Sequence, residues 1–339
     1  MKNSTKKAFT GVGLLLGSAL TAAGVSEGIT ELLVREAMDR NEPGMMRAAK
    51  HRLAGKKPAV SPKAIPLNTL EPGTVEQISV TTEDGIKLAG HWYPCEKPER
   101  VILAMHGWRS SWDKDFGGIA GYLHERGCNV LFAEQRSMGE SGGKYIGFGM
   151  LERYDCLKWI QWITDRAGSD LPIYLYGISM GATSVMMASA LELPENVRGI
   201  IADCGFTSAD DIWKHVCTRN LHVPYRKRAK RISYKCQKRI GYGSGDETTV
   251  RALKNCHTPI LFIHGDEDTF VPISMTCRNF AAAAGPKRMV TFAGAGHGES
   301  YRSDPEKYQQ TLSDFWSACE ARMEDLNEFY GTDTGDIHL

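Results

Sequence analysis

The sequence lacks several signatures that would place its 339 residues in a familiar binding class. No two of its nine cysteines are spaced as Cys-x-x-Cys, which argues against a zinc ribbon or a thioredoxin-type site. Neither the Gly-x-x-x-x-Gly-Lys-Ser/Thr phosphate loop nor the dinucleotide-binding Gly-x-Gly-x-x-Gly occurs. The formal net charge is only +1, so no whole-chain field favours a nucleic-acid partner. Internal repeats and long low-complexity segments are also missing.

What remains is the composition of an ordinary globular chain, 42% hydrophobic and 24% charged. The length allows one large α/β domain with insertions, or two smaller domains. The cysteines are odd in number and scattered, which favours reduced thiols that pack as small hydrophobic side chains. The acidic run from Asp266 to Asp268 has no histidine or cysteine at ligand spacing, so we expect no metal site and no cofactor.

The N-terminus has the pattern of a targeting or anchoring segment. Lys2, Lys6 and Lys7 precede an uncharged stretch over 8–25, as in a signal peptide or an uncleaved anchor. As a spanning helix this stretch is short and diluted by glycine, serine and threonine. We expect a signal or anchor over 1–30, membrane association through 8–25, and a membrane-anchored or secreted protein. A leader on a cytoplasmic protein is the alternative, and the cysteine content favours a reducing compartment.

The rest of the chain reads as a linker followed by alternating strands and helices. Residues 31–74 are expected to hold a helix and a proline-rich linker. A hairpin signal at Asp84-Gly85 opens the main domain. Six apolar runs follow, at 101–107, 128–136, 171–177, 197–205, 258–268 and 287–297. Unbroken apolar strands are buried on both faces, so we predict an α/β fold with a mostly parallel central sheet flanked by helices.

A serine stands between two glycines directly after one of these strands. In Gly177-Ile178-Ser179-Met180-Gly181 the strand ends and a helix-forming stretch begins. A sharp strand-to-helix turn needs small neighbours two positions either side, because the backbone there packs closely against adjacent elements. Such a turn holds the serine Oγ clear of the sheet, at a helix N-terminus that favours developing negative charge. Ser179 is therefore the candidate nucleophile.

Two further side chains at strand ends complete a nucleophile, base and acid set. His297 follows the last apolar run and has glycines on both sides, which suits a loop that brings an imidazole to the serine. Asp268 follows the preceding run and can accept a hydrogen bond from the imidazole. Asp266 and Glu267 lie beside it, and Asp266 could instead cap the following turn. The chain order Ser, Asp, His is the order that an α/β-hydrolase requires.

From about Val75 to about Trp316 the chain resembles the α/β-hydrolase superfamily, and within it bacterial serine hydrolases and esterases of the S33-peptidase-like group. The matching pieces are His106-Gly107-Trp108, the loop Glu134 to Gly143, the Ser179 turn, His264 to Pro272 and Ala295 to Tyr301. The resemblance implies an oxyanion hole made by the backbone N–H groups of Trp108 and Met180. One such donor is worth roughly 3 kcal/mol of transition-state stabilisation.

An insertion separates two of the core strands. The resemblance implies that 206–256 forms a helical cap between core segments 75–205 and 257–325, with 326–339 as a C-terminal tail. Trp213, Tyr225 and Tyr234 are candidate substrate-binding residues in this cap. Residues 222–240 carry eight lysines and arginines and no acid. That run is either a solvated helix face or an electropositive lid.

The expected activity is hydrolysis of a small-molecule carboxylic ester through an acyl-enzyme. An amide or peptide hydrolase is the first alternative, since the same groups serve both reactions. A membrane-surface lipid or thioester hydrolase is another, suggested by the leader and the basic run. A non-catalytic binding protein on the same fold would be expected to lack one of the three residues. The sequence does not define the oligomeric state.

Overall fold

A computed structural model describes residues 24–41, 70 and 75–321. Most of the expected anchor segment, the proline-rich linker over 58–72 apart from residue 70, and the tail over 326–339 lie outside these residues. Within the described ranges no helix is both long and apolar enough to cross a membrane.

The centre of the molecule is an eight-stranded sheet in the order β1-β2-β4-β3-β5-β6-β7-β8. The strands are β1 Glu76–Thr81, β2 Lys87–Tyr93, β3 Arg100–Met105, β4 Cys128–Ala133, β5 Ile173–Ile178, β6 Val197–Asp203, β7 Ile260–Gly265 and β8 Lys287–Phe292. The pairs β1–β2 and β2–β4 are antiparallel, and all other pairs are parallel. The six runs predicted as parallel strands are therefore the six parallel strands, and the hairpin forms the antiparallel edge.

Helices cover both faces of the sheet. They are α1 over 24–38, α2 Trp112–Phe116, α3 Ala120–Glu125, α4 Glu152–Ala167, α5 Met180–Ala188, α6 Ala209–His215, α7 Ala229–Ile240, α8 Thr249–Leu253, α9 Ile273–Ala282, α10 Ser300–Ser303 and α11 Pro305–Glu320. A π-helical turn, Val216–Asn220, extends α6. One apolar core contains side chains of α4, α5 and α8, and a second contains side chains of α2, α3 and α11. The central strands are buried on both sides, as their unbroken apolar runs predicted.

A third apolar cluster lies above the carboxyl ends of the strands. It joins side chains of α1, of the loop before α4, and of the insertion after β6. Within the described residues helix α1 covers 24–38. The expected boundary at residue 30, between the signal or anchor segment and the following helix and linker, falls within this helix and stays a prediction. That helix packs on the insertion through Val34 and Met38.

Candidate active site

Ser179 sits at the turn between β5 and α5 in a strained backbone conformation, with φ +57° and ψ −116°. The flanking glycines are required by space. A Cβ on Gly181 would lie 1.8 Å from the carbonyl oxygen of Met105, and one on Gly177 would lie 2.2 Å from the carbonyl carbon of Gly181. These clashes cannot be relieved by a side-chain movement, because the atoms that the new Cβ would meet belong to the backbone. The amide of Ser179 donates to the carbonyl of Asp203 at 2.8 Å, which fixes the turn to the adjacent strand.

His297 reaches this serine from the loop after β8. Its Nε2 lies 2.9 Å from Ser179 Oγ. The phenyl ring of Phe270 packs beside the imidazole, with ring centres 5.0 Å apart. Gly298, directly after His297, has φ +67°, a left-handed conformation that glycine adopts without strain, and this lets the chain turn within a few residues.

Asp268 holds the other side of the imidazole. Its Oδ2 lies 2.6 Å from His297 Nδ1, and its Oδ1 accepts the backbone N–H groups of Phe270 and Val271 at 2.9 Å each. These bonds satisfy the buried carboxylate oxygens and fix their position beside the imidazole. Nδ1 of His297 therefore carries the proton, and its Nε2 is left to accept the serine hydrogen. Asp266 is exposed and accepts the backbone N–H of Gly294 at 2.7 Å, so it orders the turn and does not contact His297.

The other two strand-end histidines form internal hydrogen bonds. His264 bonds the carbonyl of Val271 at 2.9 Å and Thr276 Oγ1 at 2.8 Å. His106 bonds the carbonyl of Gly107 through Nδ1 and accepts the amide of Gln135. Burial lowers the pKa of both imidazoles, which keeps them neutral. Both side chains shape the loops around the site, and neither contacts Ser179.

The two residues expected to supply oxyanion donors flank the serine. Met180 is the first residue of α5, where backbone N–H groups have no partner within the helix. Trp108 lies in the loop after β3. That loop is held by Asp115, which accepts the Gly107 amide at 2.7 Å and the Ser110 hydroxyl at 2.5 Å.

An apolar cavity of about 260 Å³ opens on one side of Ser179. The insertion after β6 contributes Ile212, Trp213 and Val216 to its wall, and α1 contributes Leu33, Val34, Glu36 and Ala37. The ring of Trp213 packs edge-on against Phe148, and its role in substrate binding stays a prediction. Tyr225 and Tyr234 do not line the cavity. Tyr225 is buried and donates to Asp210 at 2.6 Å, and Tyr234 is 59% exposed on the outer face of α7.

A second cavity of about 340 Å³ opens on the other side and has a mixed polar and apolar lining. We call it the polar cavity because charged side chains of both signs line it, including Lys114, Glu299 and Arg302. Among the residues that the structure describes, Ser179, Trp108 and Phe270 border both cavities. A substrate carbonyl at Ser179 would therefore have the apolar cavity on one side and a cavity with charged side chains on the other.

Sequence reasoning missed Asp203, a buried carboxyl group in the wall of the polar cavity. Tyr308 donates to its Oδ2 at 3.0 Å and Ser300 to its Oδ1 at 3.2 Å, while Tyr176 bonds the Tyr308 hydroxyl at 2.5 Å. Burial raises the pKa of Asp203 to about 6. The available signal was an acid at the last position of an apolar strand, where ligands bind in such sheets.

Sequence reasoning also missed the contribution of α1 to the site. Ile29, Leu33, Val34 and Ala37 follow the spacing of one helix face, which was the available signal. The basic run of the insertion has a related explanation. Lys235 and Arg239 on α7 form ion pairs with acids of α1, so part of that run serves contact between helices.

One group near the serine has the composition of a metal site. The ligand atoms of Cys204, Asp268 and His297 lie within 4.8 Å of one another. Burial raises the pKa of the Cys204 thiol well above its usual value, which disfavours the thiolate that binds metals. The other two side chains already bond each other. The arrangement therefore fits a hydrogen-bonded array better than a metal centre. None of the nine cysteines is in a disulfide.

Comparison with protein families places this site in context. The model of the prolyl oligopeptidase family matches residues 115–321, more than half of the chain, and that stretch includes Ser179, Asp268 and His297. The match supports the wider superfamily. It does not extend to the S33-peptidase-like group that the sequence pattern resembles.

Two relatives are similar over much of the chain. An uncharacterized protein of Bacillus subtilis is 26% identical over 197 residues, which are 57% of this chain and 65% of that protein. The chain thus spans just under two thirds of the length of that relative. An uncharacterized protein of Mycobacterium tuberculosis is 26% identical over 233 residues, 68% of this chain and 73% of that protein.

Solved structures share the architecture. A Pyrococcus furiosus esterase matches with a TM-score of 0.59 and 22% identity, over 77% of this chain and 95% of its own. The α/β-hydrolase GrgF from a Penicillium species matches with a TM-score of 0.56 and 16% identity, over 76% and 99%. The acylaminoacyl peptidase of Pyrococcus horikoshii matches with a TM-score of 0.57 and 16% identity, over 75% of this chain and 43% of its own. These likenesses show that the chain has the α/β-hydrolase fold.

Proposed function

The chain belongs to the prolyl oligopeptidase family, and we propose that it is a serine hydrolase that cleaves small-molecule carboxylic esters through an acyl-enzyme. The observation that carries the proposal is the continuous hydrogen-bonded series from Asp268 through His297 to Ser179, with distances of 2.6 and 2.9 Å. A serine hydroxyl is a weak nucleophile at neutral pH and needs an adjacent base that is oriented by a third group. All three members are present, which argues against a non-catalytic protein on this fold.

In the first half-reaction Ser179 Oγ attacks the carbonyl carbon of the ester, and His297 Nε2 takes the hydroxyl proton. The imidazolium is stabilised by Asp268, which remains ionised. We assign binding of the tetrahedral oxyanion to the backbone N–H groups of Trp108 and Met180. The carbon–oxygen bond to the alcohol then breaks, and His297 gives its proton to the departing alkoxide.

The second half-reaction repeats these steps with water. His297 takes a proton from water, the hydroxide attacks the acyl carbon, and the bond to Ser179 Oγ breaks. Ser179 recovers its proton from His297, and the free carboxylic acid leaves. This chemistry uses only the side chains and backbone groups named above, so the proposal requires no metal or cofactor.

An ester is preferred to a peptide because of the apolar cavity. Every residue of a peptide acyl chain carries an amide that needs hydrogen-bond partners when buried. The cavity is lined mainly by aliphatic and aromatic side chains. A hydrocarbon acyl group loses no hydrogen bonds on entering such a space, so its burial is favourable.

The family match favours a second candidate, hydrolysis of an amide or peptide bond. The same residues would act, and the leaving group would be an amine that His297 protonates. An ester and an anilide with the same acyl group separate the two candidates. A kcat/KM for the anilide equal to or above that for the ester would favour the amide hydrolase.

The primary test is labelling with a fluorophosphonate probe, which reacts with activated serines. We expect the wild type to be labelled and the Ser179→Ala and His297→Ala variants to lose labelling. Ser184→Ala is the matched control, because Ser184 is buried in α5 and donates to the carbonyl of Met180. Folded wild-type protein that remains unlabelled, and that hydrolyses no p-nitrophenyl ester, would refute the enzyme assignment.

A further inference from the structure

We propose that helix α1 forms the outer wall of the acyl-binding cavity and sets the length of the acyl group, so that the substrate is an ester of a straight-chain acid of about eight carbons. This inference rests on the proposed function, because it concerns the acid half of the ester at Ser179. It adds to that function a substrate class and a segment that determines specificity.

The cavity lies between two elements that are far apart in the sequence. Leu33, Val34 and Ala37 of α1 line it, and so do Ile212 and Trp213 of the cap. Ser179 also lines it. An acyl group attached to Oγ would therefore extend between α1 and the cap.

Helix α1 is fastened to the loop that carries the proposed oxyanion donor. The guanidinium group of Arg109 donates to the carbonyls of Glu36 and Asp39 at 2.7 Å each. These carbonyls belong to the last turn of the helix and to the residue after it, where an arginine satisfies acceptors and complements the helix dipole. The C-terminal end of α1 is thus held by the loop after β3, which also carries Trp108.

The helix is also fastened to the cap by complementary charge. Lys235 contacts Glu27 at 2.7 Å and Glu31 at 2.8 Å. Arg239 contacts Glu31 at 2.6 Å and Asp39 at 2.9 Å. Glu27 and Glu31 lie one turn apart on α1, Asp39 directly follows the helix, and the bases lie four residues apart on α7. An isolated helix of this length is marginal in water, so these contacts and the apolar packing define its position.

The volume limits the size of the acyl group. An apolar cavity of about 150 Å³ holds benzene, which has six carbons, so a cavity of about 260 Å³ accommodates roughly eight to ten carbons. Burial of one methylene contributes about 0.8 kcal/mol, or about fourfold in affinity. We expect kcat/KM to rise with chain length up to about eight carbons and to fall beyond that.

Neighbouring leucines in α1 provide a matched test. Leu33 lines the cavity, whereas Leu32 does not and is comparably half-buried. The p-nitrophenyl esters of two to sixteen carbons are assayed with wild type, Leu33→Trp, Leu33→Ala, Leu32→Trp and Leu32→Ala. We expect Leu33→Trp to reduce kcat/KM for the octanoyl ester at least tenfold relative to the acetyl ester, and Leu33→Ala to move the optimum to longer chains. The Leu32 variants should keep the wild-type profile.

Binding of octanoate to the Ser179→Ala variant, measured by calorimetry, tests the wall without catalysis. Adding Leu33→Trp should weaken this binding at least tenfold, and adding Leu32→Trp should not. If the enzyme is active but neither the Leu33 nor the Leu32 variants change the dependence of kcat/KM on chain length, the inference is wrong and the proposed hydrolase activity stands. If the protein is inactive and unlabelled but binds octanoate, and Leu33→Trp weakens that binding, the proposed hydrolase activity is wrong and the proposed acyl-binding site stands. If Leu33→Trp does not weaken octanoate binding, the proposed acyl-binding site is wrong, whether or not the protein is an active hydrolase.

Discussion

The indole N–H of Trp108 donates to the main-chain carbonyl of Ala37 at 2.8 Å, across 71 positions of the sequence. Trp108 belongs to the loop beside Ser179, and Ala37 belongs to the helix that walls the apolar cavity. The contact makes the N-terminal helix part of the site. Changes in that helix should therefore affect which substrates react, and changes in the loop should affect how the helix is held.

Replacing Arg109 with alanine should loosen α1. The substitution removes the bonds to the carbonyls of Glu36 and Asp39, leaving those acceptors to water. We expect trypsin cleavage at Arg35 to accelerate about tenfold, since the energy lost with charged hydrogen bonds is about 1.5 kcal/mol or more. The fragments are identified by mass spectrometry. The control is Arg198→Ala, which replaces an arginine at an exposed position of β6. Equal cleavage rates in both variants would mean that Arg109 does not hold the helix.

The Asp268→Asn variant should lose most activity, and Asp266→Asn should not. An amide at 268 would favour the imidazole tautomer that cannot accept the serine proton, a change that costs about ten-thousandfold in kcat in a Ser-His-Asp site. Asp266 accepts only a loop amide, at 2.7 Å from Gly294. Steady-state kinetics on one p-nitrophenyl ester compares the two variants. If both variants lose a comparable part of kcat, both carboxylates would affect activity only by holding the conformation of the loop.

Two glycine-to-alanine substitutions should have opposite effects on stability. At Gly181 the new Cβ would lie 1.8 Å from the Met105 carbonyl oxygen, so the strand-to-helix turn at Ser179 (the elbow) cannot form without displacing β3. At Gly28, within α1, nothing lies within 4 Å of the new Cβ. Alanine there should stabilise the helix by about 0.5–1 kcal/mol. Thermal unfolding, together with expression of soluble protein, distinguishes the two, and a stable Gly181→Ala variant would contradict the close packing of the elbow.

Asp203 should make the stability of the protein depend on pH. Burial raises its pKa to about 6 from an ordinary value of 3.8, so the folded state keeps this proton when the unfolded chain has lost it. The free energy of unfolding should therefore fall as pH rises from about 4 to about 6, by about 3 kcal/mol from this group, and then level off. The acid is fully buried, so solvent screening does not reduce the effect.

Urea unfolding of wild type and Asp203→Asn between pH 4 and pH 7 measures this contribution. Asparagine can still accept from Tyr308 and donate to Ser300, so its folded geometry is preserved. The variant should lose the downward slope and be the more stable protein at pH 7. Asp170→Asn, at an exposed loop position, is the control. Parallel curves for wild type and Asp203→Asn would show that the group does not titrate in this range.

The parallel strands were readable in the sequence because burial on both faces leaves unbroken apolar runs, such as Arg100–Met105 and Ile260–Gly265. The helices between β3 and β4 are less regular. Two short helices form there, Trp112–Phe116 and Ala120–Glu125, because Gly117 and Gly118 interrupt the helix-forming residues.

Part of the candidate site was likewise predictable from the sequence, and part was not. Ser179, Asp268 and His297 were chosen as candidates because each follows a strand, and the carboxyl ends of parallel strands meet at one edge. Tyr225 and Tyr234 were misplaced because aromatic side chains in a cap can face inward, face outward or fill its own core. Only packing distinguishes these arrangements.

The sequence by itself determined the order of strands and helices and the turn that presents Ser179, because these depend on local spacing, on unbroken apolar runs and on small residues two positions either side of the serine. Tertiary structure alone decided that a helix near residue 30 closes the cavity beside a serine at 179, and that acids on that helix pair with bases near 235. Such contacts depend on the positions of segments brought together by folding, so no local pattern encodes them.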